Sequence, residues 1–224
     1  MQSVAYDCRF RDTAKIVVSG ASGSGKTQLV KRMLVNHARV FEVTPPSKIV
    51  VFHTHYQKAY DELRDELRDV PVEFVKGPPP DGFTPPPRSI LVFDDLQSTD
   101  SNEIREFFLR KCHHSSCAAV IYVLQNVFAA NKNNRDITLN ADYFVCFRPR
   151  RDLGQVERLN YSLLGRGHRN FLVSVFKELT HDRPHSFLLI DIAATTPAAF
   201  QFRSTVIPQS GSTRVFVPHT HSDR

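Results

Sequence analysis

At 224 residues, 41% of them hydrophobic and 23% charged, the chain has the length and composition of one folded α/β domain that can bury a sizeable core. No run of about 18 apolar residues offers a membrane-spanning helix, the opening MQSVAYDCRFRD lacks the apolar stretch of a secretory signal, and the four cysteines (Cys8, Cys112, Cys117, Cys146) form no disulfide framework, which points to a reducing, intracellular setting. A net charge of +6 suits a polyanionic partner without proving one.

Residues 15–19 (KIVVS) are a short apolar, β-branched run and predict a buried first strand. Leu29, Val30, Met33 and Leu34 recur at helical spacing, so a helix is expected from 27 to about 37. A second buried strand is expected at 48–52 (KIVVF). Residues 56–70 place Tyr60, Leu63, Leu67 and Val70 on one face, with Asp61 near Arg64 and Asp65 near Arg68 on the other, as in a solvated amphipathic helix.

The segment GPPPDGFTPPPR, residues 77–88, cannot be helix or central strand and predicts a stiff, extended connector. Residues 89–93 (SILVF) predict a third strand, ending in Asp94 and Asp95. Asp100 and Glu103 fit a capping arrangement for a helix carrying Ile104, Phe107 and Phe108. Strands are expected at 118–124 (AAVIYVL) and 143–147 (YFVCF), then helices near 152–164 and 170–179. Strand-like runs follow at 186–192, 201–207 and 214–217, and the last residues, 219–224, predict a flexible tail. Strands alternating with helices predict a mostly parallel sheet covered on both faces, in one domain with a core over about 12–192 and a strand-rich extension over 193–218.

Between the first strand and the first helix stands Gly20-Ala21-Ser22-Gly23-Ser24-Gly25-Lys26-Thr27, the pattern G-x-x-x-x-G-K-T. Glycines let such a loop curl its backbone N–H groups towards phosphate oxygens, and the helix start adds partial positive charge. Lys26 is expected to reach the β- and γ-phosphates of a nucleoside triphosphate, and the Thr27 hydroxyl to ligate magnesium. The expected nucleotide is ATP. In an open α/β sheet, ligands gather at the carboxyl ends of the strands. That puts Asp94 where a magnesium ion needs a carboxylate and Asp95 where it can polarise the attacking water. Gln125, with Asn126, ends the fourth expected strand and can hold that water or touch the γ-phosphate. Each of these polar strand ends also has a bland reading as a turn former.

Cys112-His113-His114 with Cys117 is one cluster of soft ligands, without the repeated paired spacing of structural zinc. Arg148-Pro149-Arg150-Arg151 follows the fifth expected strand and could meet DNA phosphate, act as an arginine finger or be a solvated turn. Arg110, Lys111, Lys132 and Arg135 add further positive charge.

Taken in order, GASGSGKT, SILVFDDL, KCHH before AVIYVLQNVF, and LNADYFVCFRPRRD resemble the FtsK–HerA superfamily of DNA-pumping ATPases, over about residues 12–192. Among them, the sequence looks most like the genome-packaging ATPases of poxvirus-like and Maverick/Polinton-like double-stranded DNA viruses and elements. The resemblance implies a homo-oligomeric ring that hydrolyses ATP with magnesium to drive double-stranded DNA into a preformed capsid, by way of its portal vertex, inside an infected or host cell. It matches Lys26 and Thr27 to the nucleotide-binding positions, Asp94 and Asp95 to the acidic pair and Gln125 to the sensor. One departure stands out: Ser115 and Ser116 follow the paired histidines where a basic residue is expected. An arginine finger therefore has to be sought elsewhere, with Arg110 the first candidate and Arg148, Arg150 and Arg151 next. Two other readings of the same residues are a nucleotide or small-molecule kinase, and a scaffold that binds ATP without turnover.

Overall fold

The computed structural model describes residues 6–96, 102–127, 132–148, 154–168, 170–180, 185–207 and 212–218. Asp100, Arg150 and Arg151, singled out above, lie outside them, as does the expected tail. Nine strands join in one sheet in the order β3-β2-β4-β5-β1-β6-β7-β8-β9. The first six in that row are parallel: β3 (Val72–Lys76), β2 (Ile49–His53), β4 (Ile90–Asp94), β5 (Ala119–Leu124), β1 (Ala14–Ser19) and β6 (Tyr143–Phe147). The last three, β7 (Phe187–Asp191), β8 (Phe202–Arg203) and β9 (Val215–Phe216), run antiparallel to their neighbours. The sheet is thus mostly parallel, as expected, with an antiparallel margin.

The central strands are mostly apolar, as expected where helices cover both faces, with polar residues at their ends such as Lys15, Ser19 and Asp94. On one face Ile16, Val18, Val51, Val92, Ile121 and Val145 meet α1 (Lys26–Val35) and α3 (Lys58–Glu66) through Leu29, Met33, Tyr60 and Leu63. A short α2 (His37–Val40) follows α1. The other face packs Val17, Phe93, Val120, Tyr122 and Phe144 against α4 (Asn102–Glu106), α6 (Lys132–Leu139), α7 (Gly154–Leu164) and α8 (Phe171–Thr180). Between α4 and α5 (Cys112–His114), Phe107–Lys111 form a π-helical turn that seats Phe107 and Phe108 in the core. Each such fully buried aromatic contributes about 1.5–3 kcal/mol over its exposed state.

Several elements depart from expectation: α2 and α6 were not placed from the sequence, and the run expected over 201–207 pairs only at Phe202–Arg203. The helix after β2 ends at Glu66, and Leu67 and Val70 pack into the core from the turn beyond it. Residues 72–76 then form β3, an edge strand whose exposed Glu73 and Lys76 broke the all-apolar signature. The proline-rich connector is pinned by Phe83, whose ring meets Phe52 edge-on at 5.3 Å. Among the described residues, no helix is long and apolar enough to cross a membrane.

Parallel register decides where polar residues surface. Ser19 is level with Leu124 and Asp94 with Val123, so Gly20, Gln125 and Asp95 all emerge at one edge of the sheet.

Candidate functional site

The loop from Gly20 to Thr27 occupies that edge. Its turn is tight: the Gly20 amide donates to the Leu124 carbonyl at 3.2 Å and the Ser24 amide to the Ala21 carbonyl at 3.1 Å. A Cβ on Gly20 would lie 2.6 Å from that of Phe147, so only glycine fits. Gly25 has φ +103, left-handed backbone that suits glycine, and caps α1 with no side chain over the helix's first N–H groups. Those bare donors and the helix dipole favour an anion. Lys26 Nζ donates to the Gly20 and Ala21 carbonyls at 2.7 and 3.0 Å, across the mouth of the loop. Burial pulls its pKa below the ordinary lysine value, against the opposing pull of Asp94 and Asp95.

Asp94 is 4% exposed and ends β4 facing α1 and α3. Its Oδ2 accepts from the Tyr60 hydroxyl at 2.6 Å, from Gln57 Nε2 at 3.3 Å and from Thr27 Oγ1 at 3.4 Å. Burial pushes the Asp94 pKa above the usual carboxylate range. The bonds from Tyr60 and Thr27 work against that, and neighbouring Asp95 adds to it. The Tyr60 phenol is in turn raised far, by burial first and by Asp94 next. Asp95 follows in left-handed backbone at φ 56, which asparagine and aspartate tolerate best, and its Oδ1 accepts from Gln125 Nε2 at 3.4 Å. The Thr27 hydroxyl and the Asp94 carboxylate are hard oxygen donors side by side, a fit for a hard divalent cation such as magnesium.

These groups line one cleft of about 500 Å3, whose wall includes Ser22, Lys26, Thr27, Gln57, Asp94, Asp95 and Gln125. The structure therefore brings together the phosphate loop, both acids and the strand-end amide named from the sequence. Three further residues had not been singled out for it. Gln57 and Tyr60 hold Asp94; Tyr60 read as a core residue, and its hydroxyl was the one available signal. His185 arrives from the start of the β7 segment and sets its Nδ1 2.9 Å from the Ser24 carbonyl, with no local motif to announce it.

The arginines stand elsewhere. Arg110 lies in the π-helical turn, pairs with Glu106 at 2.5 Å and is 69% exposed, away from the cleft wall. Arg148 is exposed just past β6. Cys112 and Cys117 point into the core, while His113 and His114 are exposed and His113 Nδ1 meets Thr13 Oγ1 at 3.2 Å. Among the described residues, no three His, Cys, Asp or Glu side chains converge on a metal position.

Fold and site together describe a phosphate-loop α/β domain with paired acids beside the loop. Among solved structures, the chain is similar to EssC (ATPases 2 and 3) from Geobacillus thermodenitrificans, with a TM-score of 0.53 and 12% identity over 94% of this chain and 41% of that one. The cytoplasmic domain of EssC matches over the same shares at 12% identity, with a TM-score of 0.44. The first of these likenesses shows that the chain shares the fold of the EssC ATPase domains, and the chain spans less than half the length of either structure. No protein-family model matches the sequence, and no curated protein matches it.

Proposed function

We propose that this chain is an ATP-hydrolysing motor of the FtsK–HerA kind, one ATPase domain that pumps double-stranded DNA of a virus or virus-like element into a preformed capsid. The observation that carries the hydrolytic part is the convergence of Lys26, Thr27, Asp94, Asp95 and Gln125 on one cleft. The loop amides and Lys26 hold the phosphates, and Thr27 with Asp94 hold magnesium. When bound, that ion neutralises charge developing on the transferred phosphoryl group. Asp95 accepts a proton from the attacking water, and Gln125, bonded to Asp95 at 3.4 Å, orients that water. An acid and an amide placed together favour water over a second small substrate as the nucleophile, hence an ATPase over a kinase.

The DNA-pumping part is supported by the net charge of +6 and by the motif order. In this reading subunits form a ring within the infected or host cell and dock at the capsid's portal vertex. An arginine (Arg110 first, then Arg148, both exposed, or Arg150 or Arg151) reaches the neighbouring subunit's cleft. A contact made between subunits would not line the cleft of its own chain.

The test is phosphate release from magnesium–ATP with and without duplex DNA. DNA of any sequence should raise the rate. Because phosphate contacts release counterions, that stimulation should fall by orders of magnitude, about 10³–10⁵ in affinity, between 50 and 200 mM salt. A rate indifferent to DNA would sink the translocation reading while leaving the hydrolytic one standing.

A further inference from the structure

Beside the phosphate cleft lies a second cavity of about 590 Å3, and the two share one residue, His185. His185 Nδ1 sits 2.9 Å from the Ser24 carbonyl, and a Cβ on Gly25 would lie 3.5 Å from the same atom, so the imidazole rests directly on the loop. Its backbone is left-handed, with φ 67, an uncommon conformation for a side-chain-bearing residue and one that concentrates at ligand sites.

The direction of the cavity matters. Asp94 ends β4, two places from β1 in the sheet, Asp95 follows it and Gln125 follows β5, so the hydrolysable end of a nucleoside triphosphate points to that side. The molecule is linear, and the rest of it has to leave the loop on the opposite side, towards β6 and β7. The second cavity opens there, against Phe187 at the start of β7 and the segment after β8. It also runs along α1: Leu29 and Arg32 line it, four and seven positions beyond Gly25 and on the same face of the helix.

The lining suits a nucleoside. Leu29, Phe187 and Ile207 offer apolar surface for the faces of a base, and Arg32 and Arg214 supply donors for its edge or the ribose. Arg214 Nη1 meets Glu178 Oε1 at 2.9 Å on the outer wall, with both side chains more than half exposed, an ion pair that opens at little cost. We propose that the nucleotide's base and ribose occupy this second cavity, with His185 between the phosphate and nucleoside chambers.

The proposal rests on the nucleotide reading above, and the experiment separates the two. Calorimetric dissociation constants are measured for magnesium–ATP and magnesium–tripolyphosphate, the latter carrying the phosphates without the nucleoside. Wild-type protein should bind ATP the more tightly. Ser204→Trp fills the cavity from its wall, and His185→Asn removes the imidazole with a residue tolerant of left-handed backbone. In both variants the ratio of the two constants should shrink by about tenfold, a loss of about 1.4 kcal/mol from the nucleoside alone. Melting curves check that each variant folds, and either one alone suffices. An unchanged ratio in a folded variant overturns the proposal. Wild-type protein that binds tripolyphosphate as tightly as ATP also overturns it while sparing the phosphate site. Wild-type protein that binds neither ligand overturns the nucleotide reading and this proposal together.

Discussion

Asp94 and Asp191 end strands on opposite edges of the same sheet, because β7 runs antiparallel to β6. They are 4% and 2% exposed, and burial raises the pKa of each above the ordinary aspartate value. Their partners differ. Asp191 Oδ2 accepts from Arg203 Nη2 at 2.8 Å, while its Oδ1 accepts from Thr196 Oγ1 at 2.7 Å and the Ala193 amide at 3.2 Å. Arg203 is itself fully buried, with its guanidinium carbon 5.8 Å from the centre of the Tyr6 ring, although Nε and Nη1 find no acceptor among the described residues. Among the described residues, Asp94 accepts from neutral donors, on Oδ2, and the nearby ammonium of Lys26 is bonded to carbonyls. A buried carboxylate needs a cation. At one edge the chain supplies it as a permanent side chain; at the other, in the function proposed above, that role falls to a divalent metal ion. On that reading, equal burial marks a structural charge in one place and a functional one in the other.

Breaking the structural pair should have the larger effect. Arg203→Met leaves Asp191 buried without its cation, which costs about 3–5 kcal/mol. For a chain of this length that is a fall of about 6–20 °C in melting temperature. Adding Asp191→Leu should recover much of it, since no lone charge then remains. A single variant that melts like wild type would show that the pair does not hold this edge.

The functional carboxylate should answer the other way, and less strongly. Without nucleotide, Asp94→Asn should melt at or slightly above wild type at pH 7.5, by about 2–4 °C if the relief is about 1 kcal/mol. Its pH dependence carries a definite sign. The folded-state pKa of Asp94 is raised, so its ionised form penalises the fold above that pKa. As pH falls through it the penalty lifts, and below the unfolded value of about 3.9 the variant's advantage should be gone. Equilibrium binding of manganese as a magnesium substitute should be weakened in the same variant. An Asp94→Asn protein as unstable as Arg203→Met would erase the contrast between the two edges.

Much of the cleft was legible in the sequence because its chemistry sits where short-range signals are strong. The string from Gly20 to Thr27 is local, and Asp94, Asp95 and Gln125 end apolar runs too uniform to be anything but buried strands. Parallel register then carried all of them to one edge. What escaped depends on distant contact. Tyr60 lies 34 positions from the carboxylate it bonds, and His185 lies 161 from the carbonyl it touches, so no spacing rule links them. Phe202 and Arg203 read as part of a longer strand-like run, yet their role depends on pairing with β7, where Arg203 stands opposite Leu189 and its buried guanidinium reaches the carboxylate of Asp191 two places along. β3 hid behind Glu73 and Lys76, exposed charges on both faces of a short edge strand, which leave no clean strand signal.

The central claim is that the cleft beside Lys26 hydrolyses ATP, and phosphate release from magnesium–ATP with no added acceptor tests it most directly. Wild-type protein should release phosphate, Asp95→Asn should do so about 10²–10⁴-fold more slowly while still binding ATP, and Lys26→Ala should neither bind nor turn over. Release by Lys26→Ala at the wild-type rate, or none by folded wild type that still binds ATP, would contradict the account.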